Sequence, residues 1–344
     1  MTAQLQKKIL VTGATGLVGS YLLRYLVQQG YVNVRATRRA ESTMDLVESI
    51  LEKVEWVTLD ILDVEAVEEV MVGVEWVFHC AALVSFDPAD KAALYKINKE
   101  GTENVVNAAL NAKIEKLVHV SSVATIGRDP KESKTSEKTK WDRNEMFTHY
   151  AKSKYLSEME AWRGWAEGLD VVVVNPSTIL GSGRWDKGTS VFFKLVWRSF
   201  SWFAGGSAGF VDVRDVALLM IQAMEKAASG QRFILSAENL SYKDLMEQIA
   251  HHLDRPAATR RMPNWMKGLI WRWEWFVAWL HKSRPEITRE VAVKVTSHYA
   301  YDNSKSVHTF DYVYQSVSET IACVASQFKE AAETDFTARV MPLI

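Results

Sequence analysis

The chain has 344 residues, enough for one large domain or two modest ones around a sizeable core. Hydrophobic residues at 48% exclude a disordered polymer, and 41 Lys and Arg against 42 Asp and Glu exclude a global basic field for nucleic acid or anionic lipid. Two cysteines, Cys80 and Cys323, are too few for a disulfide scaffold, and no uncharged apolar stretch reaches the ~18 residues of a membrane span. The opening MTAQLQKKIL carries no apolar signal-peptide core, so a cytoplasmic protein is the expectation.

In chain order, the apolar run Lys8–Thr12 reads as a strand and Gly16–Gln29 as a helix. Val32–Thr37 and Val54–Leu59 follow as strands with a helix over Thr43–Leu51 between them. Glu75–Ala81 is a further strand, then a long helical stretch spans Ala89–Asn111. Lys116–Ser121, a polar loop over Gly127–Arg143, a helix over Thr148–Glu167 and the run Val171–Asn175 complete this half. The loop reads as a solvated surface segment, with a flap over a site as the alternative. Branched runs alternating with helices predict an α/β fold with a doubly wound parallel sheet.

Beyond Pro176 the rhythm loosens. Helices are predicted over Arg184–Phe200, Val213–Lys226, Ser241–Leu253, Glu286–His298 and Ser316–Lys329, with a strand at Arg232–Leu235. Ser241 and Asp244 form a capping-box pattern. The expected organisation is a nucleotide-binding domain over 1–176 and a smaller, mostly helical substrate-binding part over 177–344. Residues 210–235 are expected to pack back onto the first domain.

The first strand runs into Gly13-Ala14-Thr15-Gly16-Leu17-Val18-Gly19. Small residues let this turn approach a pyrophosphate, and the following helix aims its amides at that charge. A glycine triplet alone is weak; placed in the first βαβ unit it is a strong dinucleotide signal. NAD enzymes carry an acid at the end of the second strand, whereas this chain has Arg38-Arg39 and no acid before Glu41. Two guanidiniums suit a 2′-phosphate, so NADP is preferred over NAD. Asp60 and Ile61 at the third strand end and Ala81 and Ala82 at the fourth are further cofactor candidates.

Carbonyl reduction needs a proton donor, and a Tyr can serve where a cation lowers its pKa. Tyr and Lys at i and i+4 share a helix face, and three such pairs occur: Tyr95/Lys99, Tyr150/Lys154 and Tyr301/Lys305. Only Tyr150/Lys154 lies between the fifth and sixth strands, downstream of Val120-Ser121-Ser122. The other two pairs read as surface or structural. His79 reads as structural, and the scattered histidines give no metal-ligand spacing, so no metal is expected.

The glycine turn, Phe78-His79-Cys80-Ala81-Ala82, Asn98 with Gly101-Thr102-Glu103-Asn104, Val120-Ser121-Ser122, Tyr150-x-x-x-Lys154, Asn175-Pro176 and Phe210-Val211-Asp212-Val213-Arg214-Asp215-Val216-Ala217 together resemble the extended short-chain dehydrogenase/reductase family over residues 8–235. Val34-Arg35-Ala36-Thr37, Val84-Ser85-Phe86 and Phe233-Ile234-Leu235-Ser236 before Asn239-Leu240-Ser241 are similar to its dihydroflavonol reductase and 3β-hydroxysteroid dehydrogenase-like branch. The resemblance implies a Rossmann-type fold, Tyr150 as general acid/base, and Lys154 as ribose binder and depressor of the Tyr150 pKa. Ser122 matches the catalytic hydroxyl, with Ser121 as the alternative. It also implies cofactor contacts at Gly13, Thr15, Gly16, Leu17, Val18, Gly19, Asn175, Pro176 and Ser177, and substrate contacts at Val84, Ser85, Phe86, Thr125 and Trp185. Ile126 stands where many relatives have Tyr, which points away from a sugar nucleotide.

Thirteen Trp are present, ten of them between Trp162 and Trp279. The segment Trp265–Leu280, inside a cationic stretch from Arg255 to Arg284, suits three roles: an apolar pocket or core, a subunit contact such as a homodimer interface, or peripheral membrane attachment. The leading expectation is an NADP-dependent reductase or dehydrogenase of a largely apolar carbonyl or alcohol. The alternatives are an NAD-retaining sugar-nucleotide epimerase or dehydratase, and a non-catalytic cofactor-binding or membrane-surface protein.

Overall fold

The computed structural model describes residues 3–127, 132–141, 148–186, 188–263, 272, 290 and 295–344. The branched runs become β1 (Ile9–Thr12), β2 (Val34–Arg38), β3 (Glu55–Thr58), β4 (Trp76–His79), β5 (Lys116–Val120) and β6 (Val171–Pro176). Between them run α1 (Leu17–Gln28), α2 (Val64–Met71), α3 (Lys91–Tyr95), α4 (Gly101–Ala112) and α5 (His149–Ala166). The chain continues through β7 (Thr178–Leu180), α6 (Ser190–Trp197), β8 (Trp202–Phe203), β9 (Ser207–Asp212), α7 (Val213–Lys226) and β10 (Gln231–Leu235). It closes with β11 (Glu238–Ser241), α8 (Tyr242–Leu253), β12 (Arg260–Arg261), α9 (Ser304–Phe310) and α10 (Val317–Ala332).

The main sheet has the order β10-β6-β5-β4-β1-β2-β3, every pair parallel. Strand direction alternates side chains between its faces. Leu10, Val77, Leu117, Val171 and Val173 pack against Val67, Val70 and Met71 of α2 and Val105 of α4. Ile9, Val11, Phe78, Val118, Val172 and Val174 face Tyr21 and Leu22 of α1 and Val216 and Met220 of α7. Each such aliphatic side chain contributes about 1.5–3 kcal/mol on burial. The winding direction reverses between β1 and β4, which opens a crevice at the carboxyl ends of those strands.

A smaller part sits beyond that crevice. It holds the three-stranded sheet β11-β9-β7 and the pair β12-β8. The Phe328 ring of α10 meets Trp185, Phe193 and Trp197 at centroid distances of 5.1, 6.1 and 5.8 Å. Trp185 and Trp197 therefore account for part of the tryptophan excess as core and near-core packing. The segment Trp265–Leu280 and the helix expected over Glu286–His298 lie outside the described residues, apart from positions 272, 290 and 295–298. Among the described residues no helix is long and apolar enough to cross a membrane.

Several local expectations are corrected. In place of a helix over Thr43–Leu51 there is a 3-10 turn at Glu48–Lys53, because Thr43 and Asp45 are drawn off as anchors for Arg184. The helical stretch expected over Ala89–Asn111 is present without a gap, and it carries a π turn at Lys96–Glu100. The helix in Arg184–Phe200 shrinks to Ser190–Trp197. The described part of the polar loop, 132–141, is held in place rather than simply solvated. Thr135 and Thr139 are buried, Ile234 donates its backbone N–H to Glu137 Oε1 at 2.8 Å, and Trp141 stacks on Tyr155 at 4.4 Å.

Candidate active site

At the end of β1 the chain turns through Gly13 with φ +67°, a left-handed conformation that costs other residues about 1–2 kcal/mol. A Cβ on Gly13 would lie 2.6 Å from the backbone N of Ala81, and one on Gly19 2.3 Å from the Gly13 carbonyl oxygen. The turn is therefore pressed against the end of β4, and α1 against the turn. Gly16 caps α1 in an extended conformation with no side-chain cap, leaving the first-turn amides to another acceptor. A diphosphate fits that cradle by charge and by the room glycine leaves. Thr15, Leu17 and Val18 lie in this turn and the first helical residues.

At the neighbouring strand ends the predicted residues differ in availability. Arg38 is the last residue of β2 and makes no side-chain hydrogen bond among the described residues. Arg39 is exposed and pairs with Glu41 at 3.1 Å. Asp60 Oδ1 accepts from its own turn at Leu62 N (3.0 Å), so part of its capacity is spent locally. Ile61 packs where Gly101 leaves room, and its carbonyl accepts from Asn104 Nδ2 at 3.0 Å.

Behind β4, His79 is buried between Thr12 Oγ1 at 2.7 Å and Thr102 Oγ1 at 3.0 Å. Burial drives its pKa down to about 3, so it stays neutral and structural. Cys80 has its thiol pushed up to about 12 by burial, which leaves it without nucleophilic character. Ala81 donates its N–H to Thr12 Oγ1 at 3.3 Å, and Ala82 follows it at the strand end.

Across the crevice, α5 is capped by Thr148, whose Oγ1 accepts from Ala151 N at 3.0 Å. One turn separates Tyr150 from Lys154, so both face the end of β5. Lys154 is 2% exposed and donates Nζ to the Val120 carbonyl at 2.8 Å. Burial lowers its pKa to about 8, with Glu158 opposing. Burial raises the Tyr150 pKa, and a hydrogen bond with the Ser122 side chain opposes the rise. The Lys154 ammonium thus turns to a backbone carbonyl, and Ser122 supplies the interaction that opposes the rise at Tyr150. The two serines also separate. Ser121 Oγ is buried and donates to Glu158 at 2.5 Å, whereas Ser122 is half-buried beside Tyr150.

Asn175 is placed differently from its expected role. It is fully buried, and Nδ2 reaches Ser122 O at 3.1 Å and Glu158 Oε2 at 2.9 Å, so the side chain works behind the crevice. Pro176 ends β6 beside it, paired with Leu235. Ser177 is buried, and its Oγ has no hydrogen-bond partner among the described residues.

Of the expected substrate contacts, Phe86 meets Tyr150 edge-on at 5.4 Å and Val84 is exposed nearby in the chain. Ser85 Oγ donates to Asp90 at 2.8 Å and shapes that loop. Thr125 and Trp185 are not brought to the crevice surface. Thr125 is buried against Glu158 at 2.6 Å, and Trp185 is a core residue whose indole N–H donates to the Thr337 carbonyl at 3.0 Å. The pairs Tyr95/Lys99 and Tyr301/Lys305 serve elsewhere: Lys99 bridges Glu103 at 2.8 Å, and Lys305 donates to the Arg232 carbonyl at 2.8 Å.

Three contributors escaped the sequence reading of the site. Asn98, in the π turn, accepts from Leu83 N at 2.7 Å and donates to Leu83 O at 3.0 Å, which pins the loop carrying Val84–Phe86. Arg184 joins Thr15 O at 3.3 Å to Asp45 at 2.5 Å, tying the glycine turn to the loop after β2. Glu158 gathers both strand-end hydroxyls, Ser121 and Thr125. Sequence offered a signal for two of them: Asn98 belongs to the motif that carries the family resemblance, and Glu158 continues the i, i+4 series of Tyr150 and Lys154.

A crevice of this construction belongs to NAD(P)-dependent oxidoreductases of the extended short-chain type. The model of the NAD dependent epimerase/dehydratase family matches residues 9–235, and the chain is a member of that family. It is 32% identical to a Synechocystis sp. protein provisionally named dihydroflavonol 4-reductase, over 93% of this chain and 94% of that one. It is 29% identical to cinnamoyl-CoA reductase 1 of Petunia hybrida, over 70% of this chain and 75% of the relative. The crystal structure of gox2253 superposes with a TM-score of 0.81 at 26% identity, covering 94% of this chain and 98% of that one. A dTDP-glucose 4,6-dehydratase of Streptomyces venezuelae, solved with NAD, shares the fold with a TM-score of 0.76 at 18% identity, over 95% and 98%.

Proposed function

We propose that this protein is an NADP-preferring reductase, or reversible dehydrogenase, of a largely apolar ketone or aldehyde. The observation that carries it is the grouping of Ser122 and Tyr150 beside a buried Lys154 whose ammonium is held on the Val120 carbonyl. The bound nicotinamide cofactor supplies or accepts the hydride. Tyr150 Oη gives its proton to the substrate oxygen as the carbonyl becomes an alcohol, and takes it back in the reverse direction. Ser122 Oγ orients that oxygen. The buried Lys154 charge favours the tyrosinate left behind, and its remaining N–H donors suit ribose hydroxyls. Phe86 walls the reacting position with an apolar ring. Arg38 and Arg39 support NADP, because guanidinium–phosphate bonds are charge-assisted and can be bidentate.

A panel of aldehydes, flavonoid-like ketones and steroids, followed by NADPH absorbance with NADH in parallel, tests this. The expected outcome is NADPH consumption with at least one apolar carbonyl, abolished in Tyr150→Phe. Purified protein that retains NAD and never consumes added NADPH would place it with the epimerases and dehydratases instead.

A further inference from the structure

Glu158 is 1% exposed, and its carboxylate is surrounded by donors. Oε2 accepts from Ser121 Oγ at 2.5 Å, Thr125 Oγ1 at 2.6 Å and Asn175 Nδ2 at 2.9 Å. Oε1 accepts from Trp162 Nε1 at 3.1 Å and Arg232 Nη1 at 3.3 Å. Three elements therefore converge on it: the end of β5, the end of β6 and the start of β10. Burying a carboxylate is costly unless it is paired and hydrogen-bonded, and this one has five donors with a guanidinium among them.

The position along α5 gives the arrangement its meaning. Tyr150, Lys154 and Glu158 stand at i, i+4 and i+8, on one helix face. Lys154 grips the Val120 carbonyl, and Glu158 grips the side chain of the next residue, Ser121. The residue after that is Ser122. Its carbonyl is held by Asn175 Nδ2 at 3.1 Å, by the Thr125 N–H at 3.0 Å and by Thr125 Oγ1 at 2.8 Å, whose one proton is shared with Glu158, and both residues are themselves held by Glu158. We infer that Glu158 is a positioning residue, which registers the β5 end against α5 and so fixes Ser122 opposite Tyr150. This inference rests on the proposed reductase site, with Ser122 and Tyr150 as its proton-handling pair.

The chemistry requires a carboxylate rather than an amide. Asn175 Nδ2 faces Oε2 and can only donate, while Trp162 Nε1 and Arg232 face Oε1 and can only donate. A glutamine amide would meet an obligate donor in either orientation. The groups around this face that are charged or could titrate are Arg232 from β10, Lys154 from α5 itself, and His79 and His119 from β4 and β5, which burial keeps neutral.

The test uses Glu158→Gln and Ser121→Ala in the full chain, with Tyr150→Phe alongside. Hydrogen–deuterium exchange of residues 120–126 reads the positioning without any substrate. Faster exchange confined to that segment is expected in both substitutions, together with a fall in kcat of about tenfold or more for Glu158→Gln. KM and the dissociation constant for NADPH, read by its fluorescence, should stay within about twofold. Exchange that is unchanged in 120–126, or that rises throughout the sheet with NADPH affinity lost in parallel, overturns the inference. If Glu158→Gln does not fold, Ser121→Ala decides by the same criteria, since it removes a Glu158 contact, leaves the charge in place and removes no hydrogen bond to the Ser122 carbonyl. Turnover that survives Tyr150→Phe overturns the proposed function alone, and the exchange measurement still decides on Glu158.

Discussion

Lys154 illustrates how a buried ammonium weakens the structure that holds it. Its folded-state pKa of about 8 lies below the ordinary 10.5, so the folded state favours the uncharged amine. The burial penalty is therefore complete below pH 8 and is relieved as pH rises from 8 towards 10.5, a difference of about 3 kcal/mol. Part of it is offset by the bond to Val120. Lys154→Met is expected to stabilise the cofactor-free protein by about 1–2 kcal/mol at pH 7 while removing activity. Urea unfolding at pH 7 and pH 10 checks this, and the advantage of the variant should shrink at the higher pH. At the same scale, Tyr150→Phe keeps the ring that meets Phe86 and loses the hydroxyl, with its proton and its bond to Ser122. Turnover is expected to fall about 10²- to 10⁴-fold with little change in melting temperature.

At the scale of elements, the proposed function divides cofactor recognition between the shape of the β1–α1 turn and the charge at the end of β2. Gly13→Ala adds a methyl 2.6 Å from the Ala81 backbone in a left-handed residue, so both stability and cofactor binding are expected to fall. A loss of at least about tenfold in NADPH affinity follows if the turn shifts away from β4, and fluorescence titration reads it. Arg38→Ser should act on charge alone. Losing a charge-assisted phosphate bond of about 1.5–3 kcal/mol should weaken NADPH by about 10- to 100-fold and leave NADH nearly unaffected. An equal effect on both cofactors would place Arg38 away from the 2′-phosphate.

These elements also show what could be read in advance. The glycine turn and the strands were legible because backbone conformation and two-sided burial leave marks at short range, in glycine spacing and branched runs. Tyr150 was separable from two other Tyr/Lys pairs by its place between strands. Asn175 and Thr125 were legible as members of a site but not in their roles. Both had been expected at the crevice, and both lie behind it on Glu158. Trp185 was expected at the substrate, and its neighbour Arg184 is the residue that reaches the glycine turn. Adjacent residues of an irregular segment point in unrelated directions, and only packing decides which faces the crevice.

Over the whole molecule, the last residues join the two parts of the chain. Met341 is fully buried, and its N–H donates to Tyr21 Oη of α1 at 2.7 Å, while that hydroxyl donates to the Ser182 carbonyl at 3.0 Å. Ile344 N donates to Tyr25 Oη at 3.0 Å, and Arg214, paired with Asp212, reaches Pro342 O at 3.3 Å. Removing residues 340–344 should therefore cost about 2–5 kcal/mol from the buried Met341 alone. A lowered denaturant midpoint measures it. Because α1 opens at the glycine turn, NADPH affinity is expected to fall as well.

The sequence by itself determined the fold class, the glycine turn after β1 and the placement of Tyr150 and Lys154 on one face of the helix between β5 and β6. Each is written in local periodicity or in residues close along the chain. Only the tertiary structure decided which serine faces Tyr150, where the Lys154 ammonium is held, and that Glu158 joins three strand ends to α5. Those outcomes depend on which buried donors find an acceptor across tens of residues, and burial makes an unpaired group costly enough that such pairings, once formed, dictate the geometry.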